Sequence, residues 1–212
     1  MAYTNRSREN LPEHAVFGGS NPSWVNKSPE DIREQYLRSF ATKIGTISHE
    51  FAAERITYRQ RLTKHEWKGY LIRLLEKDIP RLAIDVDFLF PNISSYVNDA
   101  IGFRLEPEVR VTAHDDFFGT ADAIGYDASK RFLRIHDLKT GTSPVHMEQL
   151  YIYAAFYCME KNLRPQEQTY EMRIYQAGDI WVDNPDPTVI LETVKTIVGG
   201  IKEINKVKGV TQ

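Results

Sequence analysis

The hydrophobic pattern changes period once, near Glu106, and that change limits the fold more than any other feature. Up to that point apolar residues recur at helical spacing; beyond it they alternate. "EPEVRVTAH", "FFGTADAIGYD" and "KRFLRIHDLKT" read as three consecutive strands, the last two joined by a short polar turn around Asp127–Lys130. Upstream, "SPEDIREQYL" opens a helix with Ser28 as N-cap and Pro29 in the first turn. Helical spacing continues, with a break expected near Gly45, through "TISHEFAAERITYRQRL". A third helix, "KHEWKGYLIRLLEKD", stops before Pro80, and a fourth is expected over "PNISSYVNDAI". After the strands come a helix, "PVHMEQLYIYAAFYCMEKN", two strand-like runs, "QTYEMRIYQAG" and "DIWVD", and a last helix from Pro187 to Lys206. The order predicts an α+β (mixed α/β) fold with a central mixed sheet, mostly a meander, flanked by helices.

With 212 residues, one domain over residues 28–212 is the expected organisation. Residues 1–27, rich in Asn, Ser, Gly and Pro, read as an irregular N-terminal arm that docks through Phe17 and Trp24. Cys158 is the single cysteine, which excludes an intramolecular disulfide framework and fits a reducing cytoplasm. The formal charge of −2 calls for no polyanionic partner, although a local basic groove is compatible with it. The first nineteen residues lack the apolar core of a secretory signal, and no apolar run reaches the length of a membrane span.

The strand "RFLRIHDLKTG" contains a conflict. Counting in twos puts Leu133, Ile135, Asp137 and Lys139 on one face, so two buried-type residues are followed by an acid and a lysine. The preceding strand repeats the conflict: Phe118, Thr120, Asp122 and Ile124 share one face, with Gly119, Ala121 and Ala123 on the other. A turn centred near Ala128–Ser129 places Asp122 diagonally across from Asp137, roughly 7–8 Å away. Two carboxylates at that separation need a positive charge between them, and a hard divalent cation suits their oxygens. Lys139 stands about 6.5 Å further along the strand, where an ammonium stabilises charge developing on a phosphoryl group. Acids and a lysine around a metal suit phosphodiester hydrolysis.

Further residues extend the pattern. His49 lies four residues after Gly45 on a helix, Glu108 lies on the strand before the acidic ones, and Gln149 and Tyr153 share one face of the next helix. The ordered set G-x-x-x-H, E, G-T-x-D, D-L-K-T-G and Q-x-x-x-Y, over about residues 45–155, resembles the RecB-like branch of the PD-(D/E)XK nucleases. That branch includes the RecB nuclease domain, lambda-type phage exonucleases and the iron–sulfur nucleases of CRISPR adaptation.

The resemblance implies a restriction-endonuclease-like core binding Mg²⁺, with Mn²⁺ able to substitute, through His49, Asp122, Asp137 and the Leu138 carbonyl. It implies Lys139 as the catalytic lysine and Glu108 as a group serving a second metal or holding a water. Gln149 and Tyr153, with Thr140 beside them, would face the DNA and support the site. One cysteine leaves no iron–sulfur cluster to expect. The implied activity is a Mg²⁺-dependent DNA exonuclease of recombination, replication or repair, in a bacterial or phage-infected cytoplasm. DNA is its partner, with a single-strand annealing protein, a helicase or further copies of the chain as candidates for opening or threading it. An endonuclease or nickase on the same core, a non-cleaving DNA-binding module and metal-assisted hydrolysis of a small molecule remain alternatives.

Several features have plainer readings. Asp137 and Lys139 alone would suit a solvated strand end, and His49 an ordinary helix histidine. "HDD" at 114–116 and "DNPDP" at 183–187 read as turn chemistry, and Cys158 as a buried helix residue. Lys195, Lys202, Lys206 and Lys208 suit a solvated face, and Trp24 a docking contact rather than a stacking platform.

Overall fold

A computed structural model describes residues 15–20 and 22–209. The helices are α1 (Pro29–Arg38), α2 (Ala41–Thr57), α3 (Trp67–Glu76), α4 (Val86–Gly102), α5 (Glu148–Glu160) and α6 (Pro187–Val207). The strands are β1 (Glu106–His114), β2 (Phe117–Asp127), β3 (Phe132–Leu138), β4 (Thr169–Gln176) and β5 (Asp179–Asp183). They form one five-stranded sheet in the order β1-β2-β3-β4-β5. Only β3 and β4 pair in parallel, because α5 carries the chain back across the sheet between them. The fold is therefore α+β, a central mixed sheet flanked by helices.

Local chemistry explains the element ends. Ser28 and Asp31 form a reciprocal capping box on α1, and Asp186 accepts from Thr188 N–H at the start of α6. Between β2 and β3, Asp127 Oδ1 accepts from the N–H groups of Ser129 and Lys130, closing the turn with a side chain. Each face of the sheet has its own core. On one side Ile47, Phe51, Tyr70, Leu74, Ile93 and Val97 from α2–α4 meet Ala123, Leu138 and Tyr175. On the other, Leu150, Ala154, Ala155 and Ile190 from α5 and α6 meet Ile124, Leu133, Ile135, Met172 and Ile174.

Four expectations need correction. Gly45 does not break the helix; α2 starts at Ala41 and runs through it. A Cβ at Gly45 would stand 3.1 Å from Thr140 Oγ1, so the glycine lets α2 approach the segment after β3. The fourth helix begins at Val86, not at Pro91, because Asp85 caps it by accepting from Phe88 N–H. Strict alternation along β2 also fails. Ala121 packs with α5 and α6, whereas Ala123 packs with α2–α4. The change of side falls at Asp122, opposite the point where Glu108 takes the left-handed conformation (φ 52°) between the ladder pairs Pro107↔Ala123 and Val109↔Ala121. Finally, Ile124 pairs with Ile135 and Ala123 with His136, so the next row brings Asp122 directly opposite Asp137 rather than diagonal to it.

Candidate metal centre

The kink at Glu108 and Asp122 turns both side chains toward α2, where His49 waits one helical turn beyond Gly45. His49 Nδ1 is 3.4 Å from Asp122 Oδ1 and 4.0 Å from Glu108 Oε1. One donor atom from each of the three lies within 4.8 Å of the other two. Asp122 Oδ2 accepts from Leu138 N–H at 2.8 Å, which orients the carboxylate and ties β2 to the end of β3. Asp137, next along that end, has only 3% of its side chain exposed. Lys139 Nζ lies 2.9 Å from its Oδ2 and 3.1 Å from its Oδ1, so the ammonium faces both oxygens of the buried carboxylate.

A chain of hydrogen bonds leads from the lysine to α5. Lys139 Nζ donates to Gln149 Oε1 at 2.9 Å, and Gln149 Nε2 donates to Tyr153 Oη at 2.9 Å. The glutamine and tyrosine thus hold the ammonium in place. Gly119 makes room for this, since a Cβ there would stand 2.7 Å from the Tyr153 ring.

The electrostatics follow from crowding acids under partial burial. Burial first, then Asp122, raises the Asp137 carboxyl to about 6 against the opposing pull of Lys139 and His49. Burial and Asp122 also raise Glu108, although His49 works against them. Burial disfavours the charged His49 imidazole, but Asp122, Glu108 and Asp137 together outweigh it and hold its pKa above the ordinary value. Burial and crowding thus favour the neutral forms of Glu108 and Asp137, a penalty on the carboxylates that a bound cation would relieve. Donors bound to one ion at about 2.1 Å stand roughly 3–4 Å apart, close to the observed separations. The site fits a metal ion: His49, Glu108 and Asp122 could hold one, and Asp137 adjoins them through Asp122 and Leu138.

The sequence-derived residues do not all gather in one place. His49, Glu108 and Asp122 form one group, and Asp137, Lys139, Gln149 and Tyr153 a second that touches it through Asp122 and Leu138. Glu108 thus stands with His49 and Asp122 rather than apart from them. Thr140 lies to the side, lining a cavity of about 540 Å³ with residues of α1, α2 and α4.

Three further residues support the site without any sequence motif. Buried Asn92 donates from Nδ2 to the Lys139 carbonyl (3.4 Å) and accepts from Gly178 N–H. Gln176 Nε2 donates to the carbonyls of Gly141 and Ser143 at 2.7 and 2.8 Å, holding the segment after Lys139. Tyr96 lies beneath the carboxylates, and burial, then Asp122, Glu108 and Asp137, push its hydroxyl pKa well up. Asn92 and Tyr96 come from α4, whose register against the sheet only the folded chain reveals.

Other features take structural places. His114 and Asp116 form a turn that Lys208 ties to the end of α6. Lys195 and Lys206 pair with Glu192 and Glu203. Cys158 is buried. Trp24 packs edge-on against Phe17 and donates to the Gly18 carbonyl, while residues 1–14 and 21 of the arm lie outside the described residues. Among the described residues no helix is long and apolar enough to cross a membrane. The chain matches no protein-family model, no curated protein and no solved structure.

Proposed function

We propose that the protein is a Mg²⁺-dependent deoxyribonuclease of the RecB-like PD-(D/E)XK type, acting as an exonuclease on DNA ends in the cytoplasm. The observation that carries this reading is the buried Asp137 carboxylate. It is almost fully buried, its ion-pair partner is Lys139, and it adjoins the His49, Glu108 and Asp122 group through Asp122 and Leu138. His49, Glu108, Asp122 and Asp137 would hold the metal. A divalent cation there supplies Lewis acidity, making a nearby water more acidic and drawing charge from a phosphoryl oxygen.

The remaining work falls to the chain itself. Lys139, a third exposed, uses two of its N–H bonds on Asp137 and Gln149 and keeps one for the water or the phosphate oxygens. That donor stabilises the charge that grows as water attacks phosphorus in line and the P–O bond to the leaving group breaks. Gln149 and Tyr153 fix the ammonium, so little reorganisation is needed at the moment of reaction. An annealing protein, a helicase or a second copy of the chain would present the DNA.

The test is cleavage of matched linear and covalently closed circular duplex DNA with Mg²⁺, Mn²⁺ or EDTA. Loss of the linear form alone, abolished by EDTA and lowered about a hundredfold or more by Lys139→Ala, is the expected result. Nicking of the circle would reassign the activity to an endonuclease. Intact DNA in every case, including a single-stranded substrate, would remove the enzymatic reading.

A further inference from the structure

The solvent face of the β1–β2 hairpin has no part in the chemistry above, yet it continues directly from the carboxylate group. Val109, Val111, Ala113 and Ala121 point into the core formed with α5 and α6. The residues between them point the other way, on the side of His49, Glu108 and Asp122. The α2–α4 core reaches this part of the sheet at Leu105 and Ala123, and beyond them Arg110, Thr112, Phe118 and Thr120 are all exposed. There Arg110 pairs across the ladder with Thr120, and Thr112 with Phe118.

Phe118 is 50% exposed, and the Arg110 guanidinium lies 4.2 Å from its ring centroid. Arg134 and Arg173, also stacked on a ring, are each ion-paired to Glu171, whereas Arg110 has no ion pair among the described residues. The face therefore combines a half-open aromatic ring, a cation free to take an anion and the Thr120 hydroxyl, in line with a cluster that suits a phosphodiester. An exposed ring stacks on bases, and an arginine beside it takes the phosphate. Bases within a duplex are already stacked and cannot use the ring. From Asp122 through Thr120 to Phe118 is four residues, about 13 Å at the usual strand rise.

We infer that this face is a track for an unpaired nucleic-acid strand, with a base on Phe118 and a phosphate on Arg110, leading to the carboxylate group. The strand's destination rests on the nuclease reading, but its binding does not.

The experiment is fluorescence anisotropy with a labelled 20-nucleotide oligothymidine and a blunt hairpin duplex, in EDTA and in Ca²⁺. The wild-type protein binds the single strand more tightly. Phe118→Ala weakens that binding about tenfold or more, Phe118→Leu does the same, and Phe118→Trp preserves it. Arg110→Ala weakens it and lowers the slope of log K against log salt by about 0.7, one phosphate contact on a single strand. Thermal melts show whether each variant folds, and Phe118→Trp keeps the test valid if truncation destabilises the hairpin.

If the wild type cleaves DNA but Phe118→Ala binds the strand normally, the track is wrong and the nuclease reading stands. If ring-dependent strand binding occurs in a protein that cleaves nothing, the track stands and the nuclease reading falls. Preference for duplex, or no binding of the strand, overturns the track. So does a dimer that Phe118→Ala dissociates while strand binding is unchanged, since the face would then belong to a second copy.

Discussion

Asp137 illustrates how one residue records the demands on the site. Its carboxyl titrates at about 6 instead of the ordinary 3.8, with burial as the main cause and Asp122 the next. A carboxyl whose folded pKa is raised holds its proton more tightly in the folded state. Its contribution to stability is therefore full below about pH 4 and is lost as pH rises through about 6. A buried polar or charged group left without full compensation costs about 1–3 kcal/mol or more. Glu108 is shifted in the same direction. In the presence of EDTA, Asp137→Asn should raise stability at pH 7.5 by about 1–3 kcal/mol and give no gain at pH 4, as measured by urea unfolding at the two pH values. No gain at pH 7.5 would mean that Lys139 already neutralises the carboxylate. The same substitution should abolish cleavage, so the residue that weakens the metal-free fold is the one the activity requires.

At the scale of elements, the site depends on how closely α5 lies against the β1–β2 ladder. Gly119 sets that distance, because a side chain there would meet the Tyr153 ring at 2.7 Å. Gly119→Ala should displace Tyr153, loosen Gln149 and lower cleavage about tenfold or more, while far-ultraviolet circular dichroism stays unchanged. Tyr153→Phe, which deletes only the hydroxyl that Gln149 donates to, should reproduce part of the loss. Unaltered cleavage in both would show that Lys139 needs no support from α5. The glycine of G-T-x-D was visible in the sequence, but its purpose was not, since it concerns a residue 34 positions away.

The same division runs through the other elements. β1, β2 and β5 have the limits that their alternation and turn residues predict, because those signals are local. Asp122 and Asp137 stood out as acids on apolar faces. The grouping of Glu108 with His49 and Asp122 was hidden, because one left-handed residue in β1 changes the packing phase of both strands. Pro91 misled in the opposite direction: it reads as a helix start, yet the capping carboxylate of Asp85 begins α4 a full turn earlier.

For the whole molecule, what matters is that the candidate ligands come from α2, β1, β2 and β3, elements that meet only in the folded chain. The two cores on opposite faces of one sheet bring them together. A cation bound there thus distinguishes the folded state from the unfolded one, and mass action requires it to stabilise the fold. At a free concentration of about a hundred times Kd the gain is about 2.7 kcal/mol. For a domain of this size that corresponds to a rise in Tm of about 5–10 °C. Thermal melts in EDTA and in 10 mM Mg²⁺ or Mn²⁺ should show such a rise for the wild type. His49→Ala, Glu108→Ala and Asp122→Ala should each lose most of it, whereas Lys195→Ala, on the exposed side of α6, should keep it. A shift that survives all three ligand substitutions would place the cation elsewhere. A shift lost only with Asp137→Asn would move the centre toward Lys139 and leave His49 as an ion-pair partner of Asp122.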